Sequence, residues 1–177
     1  MAEGAVALTS RQLAALAEVA QLFERAGIEY RLFGGWAVDF HAGRITRDHD
    51  DVDLAIWHAD LLRISELLQR EGWSHTPEPD EDGGTGYERR GVRLELTYLV
   101  RDERGSVCVP LRSGLASWPD AALPPDTAEL NGVRVRVIPL ESLARGKERG
   151  RDDPEEAAKD AVDAGVLAQL LRDRRAF

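Results

Sequence analysis

The chain has 177 residues, with 32 Asp or Glu against 23 Lys or Arg, and its formal net charge is −9. This length predicts one compact domain, or one domain with a helical appendix. The acidic excess disfavours binding to duplex nucleic acid, because a polyphosphate backbone is repelled unless basic residues cluster. The single cysteine, Cys108, excludes an internal disulfide and a cysteine-based zinc site. No apolar run is long enough to span a bilayer and no signal peptide is recognisable, so we expect a cytoplasmic protein without membrane contact.

The first third of the chain predicts helices that alternate with strands. Apolar residues at helical spacing indicate an amphipathic helix over 10–26, with Thr9 as part of a capping box at its start. A short apolar strand is predicted over 30–33 and a short helix over 36–41. Two glycines separate these elements, so the chain turns sharply between the strand and the helix.

Two of the predicted strands carry carboxylates on one face. In residues 51–57 apolar and polar positions alternate, which places Asp51 and Asp53 side by side. Residues 92–97 alternate in the same way, and their exposed face holds Glu95. Two adjacent carboxylates resist joint ionisation unless a cation lies between them, and Mg²⁺ accepts carboxylates while keeping waters and substrate phosphates. Glu95 would complete a cluster able to hold two metal ions across a phosphoryl group.

The remaining chain predicts an acidic loop, a hairpin and a helical end. The elements are a helix that ends at Gly72, an acidic loop over 78–82, a hairpin turn at Asn131-Gly132, and helices over 140–149 and 154–172. The order of helices and strands predicts an α+β fold with a small mixed β-sheet, packed helices and a helical C-terminal portion.

The glycine pair Gly34-Gly35 is the candidate phosphate-binding turn. It stands between a strand and a helix, where backbone N–H groups and a helix N-terminus receive phosphate oxygens. Glycines at such a turn let the backbone approach an anion without a Cβ between them. The sequence contains no P-loop, no EF-hand loop and no histidine spacing typical of a zinc enzyme. The prediction of a phosphate-binding turn is strengthened because the glycine pair precedes the D-x-D strand by about sixteen residues.

The segment GGWAVDFHAGRITRDHDDVDL, residues 34–54, resembles the core signature of the DNA polymerase β-like nucleotidyltransferase superfamily. More narrowly, it is similar to the small antibiotic nucleotidyltransferases, the aminoglycoside 2″-adenylyltransferase group and its lincosamide-modifying relatives. The resemblance implies a nucleotidyltransferase fold with a catalytic domain over 1–138 and a C-terminal helical portion over 139–177. A homodimer is compatible with it.

The resemblance also implies roles for individual residues. Asp51 and Asp53 would bind two Mg²⁺ ions, and Glu95 would be the third ligand and the general base, although the family usually has Asp at that position. The residues implied to contact the nucleoside triphosphate are Gly34, Gly35, Arg47 and Lys147. Arg47 is equally suited to pair with the neighbouring Asp48 or Asp50.

Two further groups are predicted to support the site. Asp39 and His49 are expected to hold the glycine turn and the D-x-D strand in register by hydrogen bonds. Lys159, Asp160 and Asp163 resemble the K-D-x-x-D of related C-terminal helices, which implies a structural role.

The implied reaction moves AMP from ATP to a hydroxyl of a small molecule and releases pyrophosphate. The preferred acceptor is an aminoglycoside, a small cationic hydroxylated molecule, which an acidic loop over 78–82 would attract if that loop is more than a solubilising surface. A lincosamide, or RNA or protein as in toxin-type members, is an alternative acceptor. The alternative from another class is a catalytically silent nucleotide-binding module.

Overall fold

A computed structural model describes residues 2–76, 82–119, 126–147 and 153–176, and the side chains within them from residue 7 to residue 146 and from residue 153 onward. The helices are α1 (Ala2–Arg25), α2 (Gly34–Ala42), α3 (Leu61–Arg70), α4 (Leu140–Lys147) and α5 (Pro154–Arg175). The strands are β1 (Tyr30–Leu32), β2 (Asp51–Trp57), β3 (Ser74–Thr76), β4 (Gly84–Arg89), β5 (Val92–Arg101), β6 (Val107–Leu111), β7 (Gly114–Ser117), β8 (Thr127–Leu130) and β9 (Val133–Arg136).

The central sheet is mixed, as the sequence predicts. Its strand order is β1-β2-β5-β4-β3, and β6 and β7 extend it from the end of β5. The central pair β2 and β5 is parallel, with Asp53 opposite Glu95, whereas the other pairs are antiparallel. A parallel pair requires a crossover connection, which α3 and the β3–β4 hairpin supply here. The β8–β9 hairpin forms a separate two-stranded sheet.

One hydrophobic core joins the sheet to its helices. α1 contributes a buried stripe that includes Leu16 and Phe23, and β2 and β5 contribute Leu54 and Leu94. The C-terminal helices enter the same core, for example through Leu167 of α5. The predicted α+β fold with a helical C-terminal portion is therefore confirmed, while the division between residues 138 and 139 stays a prediction. None of the described helices is long and apolar enough to cross a membrane.

The structure corrects the predicted starts of two helices and adds two hairpins. α1 begins at Ala2, so Thr9 lies inside the helix and not at its cap, because the preceding residues are mostly good helix formers. α2 begins at Gly34 and not at the predicted residue 36, and neither the β3–β4 hairpin nor the β6–β7 hairpin was predicted. The predicted turn at Asn131-Gly132 is confirmed, and both residues have the positive φ that a type I′ turn requires (50° and 79°).

Candidate active site

Three carboxylates meet where β2 and β5 run side by side. Asp51 and Asp53 share one face of β2, and they line a polar cleft together with Glu95 of β5. The register of the parallel pair sets Asp53 directly beside Glu95, at the strand spacing of about 4.8 Å. The structure therefore brings together the three residues that the sequence predicts as metal ligands.

Gly34 forms the part of the cleft nearest to Asp53. Its φ is +67°, and a Cβ built on it would lie 2.0 Å from Asp53 Oδ2. Gly35 has no positive φ, but its Cβ would lie 2.4 Å from Arg47 Nη2 and 2.6 Å from His49 Nδ1. Both glycines are thus required by close approach, and they open α2 with its N-terminus at the cleft.

A comparison of Gly34→Ala with Gly27→Ala will separate the clash from backbone strain. Both glycines have φ +67°, but a Cβ on Gly27 would meet nothing within 4 Å. We expect each variant to lose about 1–2 kcal/mol of stability from the left-handed backbone. Only Gly34→Ala should also displace the Asp53 carboxylate and lose most of its transferase activity. Thermal melts and turnover assays will check this, and equal activity in the two variants would contradict it.

Asp39 and His49 connect the glycine turn to β2 by hydrogen bonds, as predicted. The Asp39 side chain is fully buried and accepts from the Thr46 N–H at 2.9 Å and from the Thr46 hydroxyl. His49 Nε2 lies 2.7 Å from Asp39 Oδ2, and the His49 carbonyl accepts from Gln12 Nε2 at 2.9 Å. These bonds fix the loop that leads from α2 into the D-x-D strand.

Arg47 forms an ion pair that the sequence did not predict. Its Nε and Nη2 donate to the two carboxylate oxygens of Asp163 in α5 at 2.9 and 3.0 Å, and the Asp163 side chain is fully buried. Its Nη1 lies 2.9 Å from the Asp48 carbonyl oxygen and 3.1 Å from His49 Nδ1. Burial lowers the Arg47 pKa, but the hydrogen bonds and charge of Asp163 outweigh it and raise the pKa overall. Nucleotide contact by Arg47 stays a prediction.

Residues of α5 form the cleft wall that sequence reasoning missed. Glu156, Lys159 and Asp160 line the cleft. Lys159 Nζ donates to Asp50 and, at 2.7 Å, to Glu156 Oε1, and the bond from Lys159 lowers the Asp50 pKa. The K-D-x-x-D resemblance pointed to Lys159 and Asp160 but implied only a structural role for them, and Glu156 lies outside that motif. The side chain of Lys147 and residues 78–81 of the acidic loop lie outside the described parts of the structure, so their predicted roles stay predictions.

The electrostatics of the cleft favour a bound cation. Burial raises the pKa of Asp51, and the carboxylates of Asp50 and Glu156 add to this against the opposing charge of Arg93. Such a carboxylate gains from a metal ion, because the ion replaces the lost solvation.

The carboxylate oxygens at the cleft are the hard donors that Mg²⁺ prefers, and the absence of a Cβ on Gly34 leaves the Asp53 carboxylate its space. Within the described residues no three or more His, Cys, Asp or Glu side chains are already drawn to ligating distance. Glu95 Oε1 accepts from Arg93 Nη2 at 3.0 Å on a half-exposed face. The carboxylates of Asp51, Asp53 and Glu95 fit Mg²⁺ if Glu95 gives up its hydrogen bond with Arg93 and binds the ion instead.

A mixed sheet with a D-x-D strand beside a glycine turn, covered by C-terminal helices, defines the chain as a nucleotidyltransferase. The sequence model of the aminoglycoside-2″-adenylyltransferase family matches residues 15–161, and the chain belongs to this family. It is accordingly an enzyme of the adenylyltransferase type. No curated protein matches the chain in sequence.

Solved structures show the same fold at low sequence identity. The lincosamide antibiotic adenylyltransferase LnuA, with bound lincomycin, has a TM-score of 0.66 and 17% identity over 88% of this chain and 95% of its own. ANT(2″)-Ia in complex with adenylyl-2″-tobramycin has a TM-score of 0.61 and 19% identity over 93% and 99%. An antigenic nucleotidyltransferase-like protein from Paracoccidioides brasiliensis has a TM-score of 0.54 and 22% identity over 91% and 77%.

Proposed function

We propose that this protein transfers AMP from ATP to a hydroxyl of an antibiotic of the aminoglycoside class and releases pyrophosphate. The observation that carries the proposal is the register of β2 and β5, which sets Asp53 beside Glu95 with Asp51 on the same face. The family match supports nucleotidyl transfer, and the tobramycin adduct in ANT(2″)-Ia supports the acceptor class.

The chain's own residues account for the steps of this reaction. Mg²⁺ bound by Asp51, Asp53 and Glu95 would supply charge neutralisation at the α-phosphate and lower the pKa of the acceptor hydroxyl. The free N–H groups in the first turn of α2 receive the oxygens of the leaving phosphates. Glu95 takes the acceptor proton, the acceptor oxygen bonds to the α-phosphorus, and the bond from that phosphorus to the bridging oxygen of pyrophosphate breaks.

The charge of the cleft supports a cationic acceptor. Six acidic residues line it against the two cationic residues Arg47 and Lys159, and the whole chain carries a formal charge of −9. A cleft with an excess of one sign of charge raises the association rate of oppositely charged ligands. The six acidic residues are Asp50, Asp51, Asp53, Glu95, Glu156 and Asp160.

An acceptor panel will test the proposed function. The protein is incubated with each NTP, Mg²⁺ and kanamycin, tobramycin or lincomycin, and pyrophosphate release and the mass of the product are measured. We expect a mass increase of one AMP on an aminoglycoside with ATP. Transfer of AMP to lincomycin alone would assign a lincosamide acceptor. Transfer of AMP to RNA or protein would assign a toxin-type role. No consumption with any acceptor but retained Mg²⁺-dependent ATP binding would support the catalytically silent nucleotide-binding module. No consumption together with no Mg²⁺-dependent ATP binding would contradict the proposed enzyme activity.

Glu95→Gln tests the general base. We expect kcat to fall by about 10²- to 10⁴-fold, because the amide cannot accept the acceptor proton. Glu88→Gln is the matched control, since Glu88 is an exposed carboxylate on the neighbouring β4 and outside the cleft. Activity of Glu95→Gln within a few fold of the unchanged enzyme would place the base elsewhere.

A further inference from the structure

The lateral neighbours of Glu95 in the sheet do not neutralise its charge. In β2 the residue beside Glu95 is Asp53, and in β4 it is Gly86. Like charges directly opposite each other on a sheet are destabilising, and a glycine has no side chain that could compensate them. The Glu95 carboxylate therefore gains from a counter-ion that comes from another direction.

Arg93 supplies a positive charge to Glu95 from the same strand. The two residues are two positions apart on β5, so their side chains leave the same face, and Arg93 Nη2 donates to Glu95 Oε1 at 3.0 Å. Arg93 does not line the cleft, and 52% of its side chain is exposed, against 33% of the Glu95 side chain. The hydrogen bond thus holds one carboxylate oxygen of Glu95 against a group outside the cleft.

The same hydrogen bond gives Glu95 a partner other than the predicted metal site. In the register of β2 and β5, Glu95 is level with Asp53, whereas Arg93 is level with Asp51. In the parts of the chain that the structure describes, no three acidic, His or Cys side chains are gathered as ligands of one ion. Glu95 has two alternative counter-ions, the guanidinium and a divalent cation shared with Asp51 and Asp53. Two positive charges at such close range repel each other, so binding of one disfavours the other.

We propose that Arg93 is a positioning residue for Glu95, which competes with the divalent cation for this carboxylate and holds the general base out of the ligand set until the cation binds. The inference rests on the proposed function in that Asp51, Asp53 and Glu95 are the ligands of the cation. Because the two equilibria share one carboxylate, the ion pair lowers the affinity for the cation by the same factor by which the cation weakens the ion pair. The general base is then in place only in an enzyme that carries its metal ion.

Divalent-cation binding by Arg93 variants tests this proposal without requiring turnover. Mn²⁺, which accepts the same oxygen ligands as Mg²⁺, is titrated into the nucleotide-free protein, and free Mn²⁺ is measured by electron paramagnetic resonance. We expect Arg93→Met to bind Mn²⁺ about threefold to tenfold more tightly than the unchanged protein, because a charged hydrogen bond of this exposure contributes about that much. Arg93→Lys retains the charge and should bind Mn²⁺ within about twofold of the unchanged protein.

A double-mutant cycle separates competition for Glu95 from direct repulsion of the cation by Arg93. In the Glu95→Gln background the shared carboxylate is absent, so the addition of Arg93→Met should change the Mn²⁺ affinity by less than about twofold. Direct repulsion would instead give the same tightening in both backgrounds. That result, or an Mn²⁺ affinity that Arg93→Met leaves unchanged or weakens, would overturn the proposal.

The control is Arg134→Met, which removes the same charge and an exposed ion pair with Glu129 from the β8–β9 hairpin. We expect its Mn²⁺ affinity to equal that of the unchanged protein, and tightening equal to that of Arg93→Met would contradict the proposal. Mn²⁺ binding that is absent, or that Asp53→Asn leaves unchanged, would overturn the metal-ligand assignment and this inference together. No transfer to any acceptor, with the Mn²⁺ results as expected, would count against the proposed function alone.

Discussion

Asp53→Asn will lower turnover by at least about a thousandfold while the protein stays folded. Asp53 lies beside Glu95 and against Gly34, so it is the carboxylate at the centre of the proposed metal site. Loss of its charge removes metal stabilisation of the transition state, which is worth several kcal/mol, and each 1.4 kcal/mol corresponds to tenfold in rate. Pyrophosphate release under saturating substrates and a thermal melt of the same sample will measure the two effects.

Asp48→Asn is the matched control for Asp53→Asn. Asp48 is an exposed carboxylate five positions earlier, it does not line the cleft, and its replacement changes the net charge equally. We expect its turnover to remain within a few fold of the unchanged enzyme. A fully active Asp53→Asn would end the assignment of the D-x-D strand as the metal site, and equal losses in both variants would indicate a general charge effect.

Asp163→Ala will destabilise the fold by about 3 kcal/mol, because it leaves the Arg47 guanidinium without the carboxylate that compensates it. This loss of stability lies at the lower end of the range for removing one partner of a buried ion pair, because the Arg47 side chain retains 17% exposure. For a chain of this length the midpoint of thermal unfolding should fall by roughly 6–12 °C.

Two further variants make the Asp163 measurement specific. Asp173→Ala removes an exposed carboxylate from the same helix, and we expect it to change stability by no more than about 0.5 kcal/mol. Arg47→Met in the Asp163→Ala background removes the uncompensated charge and should recover part of the lost stability. A melting temperature unchanged in Asp163→Ala would show that the pair contributes nothing.

The local parts of the site were predictable from the sequence because their signals are short in range. Period-two alternation placed Asp51 and Asp53 on one face, and the glycine pair was placed between a strand and a helix. The alternation could not give the partner of β2, since parallel pairing with β5 depends on a crossover through the intervening chain. The alternation therefore made Glu95 a candidate for the cluster, and only the resemblance supported its position beside Asp53.

The contributions of distant segments were not predictable. Arg47 and Asp163 are 116 positions apart, and the sequence offered only phosphate contact or pairing with the nearer Asp48 or Asp50 for Arg47. The β6–β7 hairpin gave a weak signal because Pro110 interrupts its first strand, which a strand near a sheet edge tolerates. Trp118 follows this hairpin, so its ring contact with Phe33 was also missed.

The bond between Arg47 and Asp163 has a consequence for the order in which the protein is made. Synthesis runs from the N-terminus, so the D-x-D strand, the glycine turn and β5 can fold while α5 is still inside the ribosome. Until α5 emerges, Arg47 lacks its carboxylate and the cleft lacks the wall that carries Lys159. A nascent chain therefore places the carboxylates of β2 and β5 side by side before α5 supplies the remaining wall of the cleft.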